Sequence, residues 1–284
     1  MSEITLIKDC TIVNEGIVKE SDLLIKNGRI EKIASGLSSE GTIIDGSGLH
    51  LLPGVIDDQV HFREPGLTER GNIKSESLAA IAGGTTSFMD MPNVLPPTLT
   101  NDLWLEKINI ASKNASANFS FYMGSSNENI DEIRAINPLE VCGLKVFMGA
   151  STGNLLVDNP ESLESIFRDA PVIITTHCED TPMIKAKEKE YSDKYGKDIP
   201  VEAHSEIRSR EACFKSSKKA VDLANKFDSN LHILHVSTKE ELDLFSTMPL
   251  EDKNITAEVC VPHLFFSSED YLTKGTLIKC NPSI

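Results

Sequence analysis

From residue 53 onward, short apolar runs alternate with stretches of helical periodicity, and this alternation restricts the fold more than any other feature of the sequence. Strands that alternate with helices indicate parallel βαβ units. The β-branched, nearly continuous apolar runs are typical of strands buried on both faces. Seven strands are predicted, the first beginning at Val55 and the others at residues 84–92, 118–124, 142–149, 172–180, 231–237 and 255–261. Helices are predicted at Asp102–Lys113, Asn127–Ile136, Pro160–Asp169 and Lys239–Ser246, with a long helical region between the fifth and sixth strands.

Polar residues recur where the predicted strands end, which is where a (β/α)8 barrel carries its functional site. The sequence contains neither a GxGxxG nor a P-loop motif. We therefore predict an α/β fold of the TIM-barrel type over residues 51–284, with about seven of the strands present. A doubly wound parallel sheet is the structural alternative.

Residues 1–50 have a different pattern, in which short β segments alternate apolar and polar residues between Gly and Asn breaks. Asn27-Gly28 is a strong signal for a two-residue hairpin. A patch of this size cannot bury a core alone, so we predict part of a small β-sandwich domain.

The stretch from Pro53 to Gly66, PGVIDDQVHFREPG, concentrates polar groups at the end of the first predicted strand. Because side chains alternate along a strand, Gln59, His61 and Arg63 can share one face. A candidate metal ligand, a strong metal ligand and an anion-binding guanidinium would then point the same way. The alternative is a polar strand end with a hydrogen-bonded histidine.

This stretch resembles the signature of the amidohydrolase superfamily, and most closely that of dihydroorotases. The pattern is PG-(V/L/I)-(I/V)-D-x-H-x-H-(F/L)-R-E-P-G, and each fixed position matches except the first His of the H-x-H pair, where this chain has Gln59. The resemblance implies a zinc-dependent hydrolase of cyclic amide C–N bonds. Its reaction would be the reversible hydrolysis of dihydroorotate to N-carbamoyl-aspartate in de novo pyrimidine biosynthesis. Hydantoinase, dihydropyrimidinase and allantoinase activities are the alternatives, together with an inactive dihydroorotase-like scaffold for aspartate transcarbamoylase.

The resemblance also implies one or two zinc ions per chain, held by His61, Lys145, His177 and His235. Each of the last three follows or lies in an apolar strand body, so each can point to one barrel mouth. Lys145 would be carboxylated, which requires a neutral amine, and burial lowers the pKa of a lysine in that direction. Gln59 has three interpretations: a weak ligand through its carbonyl oxygen, a position replaced by water, or an empty first metal site. We favour a working site.

Three further residues are predicted to bind substrate. Arg63 offers a planar fork that suits a carboxylate, and Asn93 can add an amide donor. In the resembling family these two positions bind the carboxylate of dihydroorotate. The structural alternatives are an ion pair of Arg63 with Glu64 or Glu69 and a turn role for Asn93. His263 has a substrate or supporting role, while His232 is predicted to face away from His235 and to pack under a helix.

The last residues, LIKCNPSI, resemble the family segment that precedes an eighth strand. The catalytic residue is therefore unassigned, because the expected aspartate would lie beyond Ile284. We expect the 284 residues alone to be inactive, with apolar side chains such as Leu24, Ile25 and Ile30 exposed in the N-terminal portion.

Composition restricts the partners. A net charge of −15 argues against nucleic acid and anionic membranes as partners. No apolar run approaches the length of a membrane span, and MSEITLIKDC does not resemble a signal peptide. Six cysteines without a CxxC pair indicate reduced thiols in a cytoplasmic protein. The partners expected are a small-molecule substrate, a second copy in a homodimer, or aspartate transcarbamoylase.

Overall fold

The computed structural model describes residues 3–149 and 153–284, and the chain divides into two units, Met1–Ile56 and Asp57–Ile284. The N-terminal unit is a five-stranded sheet in which the first strand pairs with the second in antiparallel fashion and with the fourth and fifth in parallel fashion. Its strands are β1 (Ile4–Asn14), β2 (Ile17–Lys26), β3 (Arg29–Ala34), β4 (Thr42–Asp45) and β5 (His50–Leu51).

The predicted hairpin at Asn27-Gly28 is confirmed. These residues join β2 to β3 with φ values of 51° and 72°, the left-handed conformation that a tight type I′ turn requires at both positions. Of the side chains expected to be exposed, Ile30 is 64% exposed. Leu24 and Ile25 are half-buried instead, and Ile25 packs against the small core of this sheet.

The second unit contains a three-stranded and a five-stranded sheet, and within each sheet the strands lie side by side in chain order with parallel pairing. They are β6 (Val55–Val60), which begins at the unit boundary, β7 (Thr85–Asp90), β8 (Asn118–Phe121), β9 (Met123–Gly124), β10 (Leu144–Phe147), β11 (Ile174–His177), β12 (Leu231–Ile233) and β13 (Ile255–Ala257). Only Tyr122 separates β8 from β9, so the described chain has the seven predicted strand segments.

Most of the helices lie between these strands: α1 (Ile73–Ala82), α2 (Asn101–Asn114), α3 (Ile130–Arg134), α4 (Pro160–Asp169), α5 (Thr181–Tyr195), α6 (His204–Ile207) and α7 (Arg210–Phe227). The helices α8 (Val261–Phe265) and α9 (Tyr271–Lys274) follow β13. Local sequence explains where the best-defined helices begin. Asn159 accepts a hydrogen bond from the backbone N–H of Ser162, and Pro160 occupies the first turn of α4. The main core lies where helices cover strands, and it includes Phe88, Trp104 and Phe121.

The strand series is strongly curved. The Tyr122 hydroxyl donates a hydrogen bond of 2.9 Å to the backbone carbonyl of Asp58 on β6. The Asp58 carboxylate lies 3.7 Å from the imidazole of His232 on β12. In a flat sheet, strands five places apart would be separated by about 24 Å. The strands therefore bend until the first and sixth segments touch through side chains.

Two further expectations can be compared directly with the structure. Within the described residues, no helix is both long and apolar enough to cross a bilayer. All six cysteines are free thiols, as the sequence predicts.

Candidate metal centre

Three predicted ligands come together at the ends of neighbouring strands. Lys145 lies in β10, His177 is the last residue of β11, and His235 follows β12 by two residues. The register pairs Lys145 with Thr175 and Phe147 with His177, so the lysine and histidine occupy adjacent strands near the same edge. All three side chains are buried.

The two histidines face each other through ring nitrogens. His177 Nδ1 lies 3.0 Å from His235 Nε2, while His177 Nε2 lies 2.7 Å from a carboxylate oxygen of Glu179. Because a carboxylate accepts, His177 carries its hydrogen on Nε2, and its Nδ1 lone pair is directed at His235. Neutral imidazole nitrogens in this arrangement suit a transition-metal ion such as zinc.

Glu179 is fully buried between His177 and Arg208. The same carboxylate oxygen that accepts from His177 also accepts from Arg208 Nη1 at 2.5 Å, and its other oxygen has no partner among the described residues. Arg208 is 14% exposed, so it links the buried carboxylate to the surface. This carboxylate fixes the tautomer and orientation of His177.

His61 and Asn93 form a second pair near this edge. His61 Nδ1 lies 2.8 Å from Asn93 Oδ1, so the amide oxygen accepts from Nδ1 and leaves Nε2 of His61 available. Desolvation of the ring lowers the pKa of His61 most, and the charges of Arg63, Lys145 and His177 lower it further, which places these side chains in one electrostatic neighbourhood. Part of the His61 side chain remains accessible to solvent.

Arg63 is half-buried, and its Nη1 donates to the Asn93 backbone carbonyl at 3.4 Å. Neither acidic neighbour pairs with it. Glu64 instead accepts a hydrogen bond from the Ile73 N–H at the start of α1, and Glu69 lies 4.0 Å from Arg70. The guanidinium is therefore not neutralised by the carboxylates that sequence reasoning had considered for it.

Backbone conformation also sets Arg63 and His235 apart. Their φ values are 67° and 41°, in the left-handed region that non-glycine residues seldom occupy. Such conformations cost of order 1 kcal/mol and concentrate at functional sites. The strand alternation that predicted Arg63 beside His61 ends at Val60, so the turn rather than the strand period sets its position.

The remaining predicted residues lie nearby with fewer contacts. The Gln59 side-chain oxygen is buried and has no hydrogen-bond partner among the described residues. His263 lies in α8, where its Nε2 is 3.2 Å from the Pro282 carbonyl, and its charge contributes to the low pKa of His235. Gln59 as a ligand and His263 as a substrate contact therefore stay predictions.

Burial controls protonation throughout the centre. It lowers the pKa of Lys145 to about 7. It also lowers the pKa of His177, and it lowers that of His235 well below the ordinary range, aided there by the charges of His177 and Lys145. At neutral pH both imidazoles are uncharged and much of Lys145 is a free amine, the state each group needs to act as a ligand or nucleophile.

We expect the metal-free protein to gain stability as the pH rises from about 7 to about 10, because the unfolded Lys145 remains protonated there while the folded one has lost its proton. The gain attributable to Lys145 should approach about 1.4 kcal/mol per pH unit. It should be absent below pH 7, where both states carry the proton. Urea unfolding in chelator and carbonate-free buffer, compared with Lys145→Met, measures the difference. Parallel pH profiles for the two proteins would contradict the low pKa.

A second group of titratable side chains lies next to this centre. His232 Nε2 is 3.7 Å from Asp58 and 3.5 Å from Glu258, and its Nδ1 is 2.7 Å from the Thr256 hydroxyl. The prediction that His232 packs under a helix is wrong. β12 ends at Ile233 and the backbone turns at His235, so strand alternation does not carry from one histidine to the other. Burial and Glu258 raise the pKa of Asp58 to about 6.

Sequence reasoning missed Glu179, Arg208, Asp58 and Glu258. One signal was present for Glu179, since it lies two residues after His177 and alternation places it on the same side. The others are brought to the centre by tertiary structure over separations such as the 29 residues between Arg208 and Glu179, which no local pattern reveals.

Comparison with known proteins identifies relatives of one kind. No family model matches the chain. A dihydroorotase of Methanosarcina acetivorans is 31% identical over 290 residues, which cover 98% of this chain and 61% of that protein. An allantoinase of Bacillus velezensis is 29% identical over 98% of this chain and 62% of its own length. An L-hydantoinase of Paenarthrobacter aurescens is 28% identical with the same coverage of both.

Solved structures agree on the fold. The L-hydantoinase (dihydropyrimidinase) from Arthrobacter aurescens superposes on all of this chain with a TM-score of 0.92 and 27% identity, and 64% of that protein is covered. A dihydropyrimidinase from Brevibacillus agri NCHU1002 gives a TM-score of 0.86 at 22% identity, covering 63% of that protein.

The chain spans about three-fifths of the length of the curated relatives that it matches. Dihydroorotases, allantoinases and hydantoinases all match at similar identity, and each relative acts on a cyclic amide. By sequence and by fold, this chain is similar to the cyclic amidohydrolases over the part of their length that it spans.

Proposed function

We propose that the chain carries the metal-binding and substrate-binding part of a dihydroorotase. The observation that carries this proposal is the Arg63 guanidinium beside the Asn93–His61 pair, unpaired by Glu64 or Glu69. A planar guanidinium next to an amide suits a carboxylate. Dihydroorotate bears one carboxylate, whereas hydantoin and allantoin bear none, so this pair favours dihydroorotate among the cyclic amides of the family.

The proposed scaffold is a (β/α)8 barrel. Two features support it: the parallel strands in chain order, and the contact between Asp58 on β6 and His232 on β12, which a flat doubly wound sheet would not permit. In such a barrel the carboxyl ends of the strands form the active site, and Lys145, His177 and His235 lie at or near those ends.

The donor set fits zinc. Two buried imidazole nitrogens face each other at 3.0 Å, and a buried lysine of low pKa lies on the adjacent strand. His61, Lys145, His177 and His235 would hold one or two ions, with Gln59 as a weak further ligand and Lys145 in carboxylated form. When bound, the metal would polarise the amide carbonyl and lower the pKa of a water molecule.

The side chains of this chain would prepare that chemistry. Glu179 would keep His177 Nδ1 directed at the site, and Asn93 would keep His61 Nε2 free for a ligand. Arg63 would bind the substrate carboxylate and so orient the ring amide. The residue that moves protons between water and leaving nitrogen is expected beyond Ile284. We therefore propose that residues 1–284 alone have no activity, since a positioned base contributes about 10²–10⁴-fold.

Changing Arg63 to lysine in the full-length protein tests the substrate. The charge would remain, but the bidentate fork would be lost. We expect kcat/KM for dihydroorotate to fall at least about tenfold, because a charge-assisted hydrogen bond contributes roughly 1.5–3 kcal/mol. Steady-state rates with dihydroorotate, carbamoyl-aspartate, hydantoin and allantoin measure the effect.

Arg70→Lys is the matched control, since Arg70 is 68% exposed and should leave all rates unchanged. Faster turnover of hydantoin or allantoin than of dihydroorotate by the unmutated protein would show that the substrate is not dihydroorotate. No turnover of any of them, together with binding to aspartate transcarbamoylase, would favour the scaffold alternative.

A further inference from the structure

The side chains of Asp58, His232 and Glu258 converge on one point beside the proposed zinc centre. We call them the interior trio. One ligand atom from each lies within 4.8 Å of the other two. They come from the first strand of the series, from β12 and from the residue after β13.

Hydrogen bonding defines the tautomer of His232. The Thr256 hydroxyl donates to the Leu231 carbonyl at 3.4 Å, so it accepts the hydrogen of His232 Nδ1 at 2.7 Å. A neutral ring then carries a lone pair on Nε2. That atom is buried and makes no hydrogen bond within the described chain, yet it faces two carboxylates. Three acceptors directed at one another repel unless something positive lies between them.

The distances from His232 Nε2 fit a bound cation better than a protonated imidazole. A protonated imidazole donating to a carboxylate approaches to about 2.7–2.9 Å, whereas His232 Nε2 lies 3.5 Å from Glu258 and 3.7 Å from Asp58. Ligand atoms around a tetrahedral ion with bonds of 2.0–2.1 Å are separated by about 3.4 Å. The two distances from His232 Nε2 are thus close to the separation of ligand atoms around one ion, and all three ligand atoms lie within 4.8 Å of one another.

Surrounding contacts hold the carboxylates in place. The second oxygen of Glu258 accepts from the His235 backbone N–H at 3.1 Å, which directs the first oxygen at His232. The Tyr122 hydroxyl anchors the Asp58 backbone carbonyl. The Asp58 side chain is 46% exposed, so an ion can enter from solvent on that side.

We infer that the interior trio binds a divalent transition-metal ion, separate from any ion held by His61, Lys145, His177 and His235. One imidazole and two carboxylates suit Zn²⁺ or Mn²⁺, whereas Ca²⁺ and Mg²⁺ prefer oxygen ligands alone. Three protein ligands leave a coordination position for water. The inference concerns metal binding only and does not depend on the proposed activity.

Zinc binding by the full-length protein, metal-stripped and re-equilibrated by dialysis, tests the inference. Asp58→Asn should lose one zinc per chain by elemental analysis. His232→Asn, whose amide can replace Nδ1 toward Thr256, should lose the same ion. Asp57→Asn is the matched control one residue away, where the amide oxygen can still accept from Gln59 N–H, and it should keep the full content.

The variant His177→Ala distinguishes the interior trio from the zinc centre at His177. This variant should keep the ion bound by the trio, and zinc should still raise the melting temperature of the variant. Adding Asp58→Asn to His177→Ala should abolish that rise, while both variants remain folded in chelator. If Asp58→Asn and His232→Asn bind as much zinc as the parent, the trio is an ion pair around protonated His232 and the inference is overturned. If only the trio variants lose zinc, the inference stands and the zinc centre at His177 fails instead.

Discussion

Replacing Lys107 with methionine should destabilise the protein by about 3–5 kcal/mol, the cost of leaving a buried charge without its partner. Lys107 on α2 and Asp90 at the end of β7 form an ion pair of 2.8 Å in which both side chains are fully buried. Lys107 also donates to the Met91 carbonyl at 2.8 Å. Without the lysine, Asp90 must either remain charged in the interior or take up a proton.

The same ion pair supports the metal centre. The second oxygen of Asp90 accepts from the Phe62 backbone N–H at 2.9 Å, immediately after His61. We therefore expect Lys107→Met to loosen the turn that carries His61 and Arg63 as well as to lower the free energy of unfolding. Urea denaturation of the metal-free chain measures the free energy of unfolding.

Two controls isolate the buried charge. The double variant Asp90→Leu with Lys107→Met removes both ions, and it should recover most of the lost stability, since well-packed apolar pairs often replace buried ion pairs without loss. Lys218→Met breaks the exposed pair with Asp222 and should cost less than about 1 kcal/mol. A loss below about 1 kcal/mol in Lys107→Met itself would show that Asp90 is stabilised by something other than the lysine.

Local chemistry explains which elements the sequence could predict. The helix at Pro160–Asp169 was predicted with the observed bounds, because Asn159 and Pro160 are strong start signals. The strands were predicted in the right order, although most were predicted too long at their carboxyl ends. The strand predicted at residues 255–261 stops at Ala257, since Glu258 turns inward to His232 and His235.

Tertiary contacts explain the elements that were predicted wrongly. Lys239–Ser246 was expected to be an α-helix, but Glu240–Leu244 is a 3-10 helix. Glu241 is buried there, and its carboxylate accepts from the Thr238 and Ser217 hydroxyls. A helical pattern contains no information about a buried partner such as Ser217, which lies on another element.

The residues of the candidate site also fall into those that local sequence predicts and those that tertiary contacts determine. Lys145, His177 and His235 could be predicted because each belongs to an apolar strand run with a polar end. His232 could not be placed, because its predicted orientation assumed that strand alternation continued past Ile233. The left-handed residue His235 interrupts that alternation. Residues that orient the ligands, such as Glu179, are brought to the site by tertiary packing. Their effect on zinc affinity can be measured in variants.

Glu179→Gln should weaken zinc binding about 10–100-fold, the usual effect of removing a carboxylate that orients a metal-binding histidine. The Glu179 carboxylate accepts from His177 Nε2 and from Arg208. A glutamine offers an uncharged amide oxygen in place of the charged carboxylate oxygen that now accepts from both partners, so its hydrogen bonds to His177 and Arg208 are weaker. Turned the wrong way, its N–H₂ would favour the other tautomer of His177, with the hydrogen on Nδ1 where the metal should bind.

Competition with a chromophoric chelator at pH 8 measures the affinity, and thermal melting in chelator measures the metal-free stability. Glu190→Gln is the matched control, because Glu190 pairs only with exposed Lys187 in the described structure, and its zinc affinity should equal that of the parent. If Glu179 has only a structural role, Glu179→Gln should lower the melting temperature of the metal-free protein and leave the zinc affinity of the folded chain unchanged. If Glu179 orients His177, Glu179→Gln should lower the zinc affinity even at temperatures where both proteins are fully folded. Equal affinities there would mean that packing and the contact with His235 Nε2, rather than Glu179, hold the His177 ring in its ligand orientation.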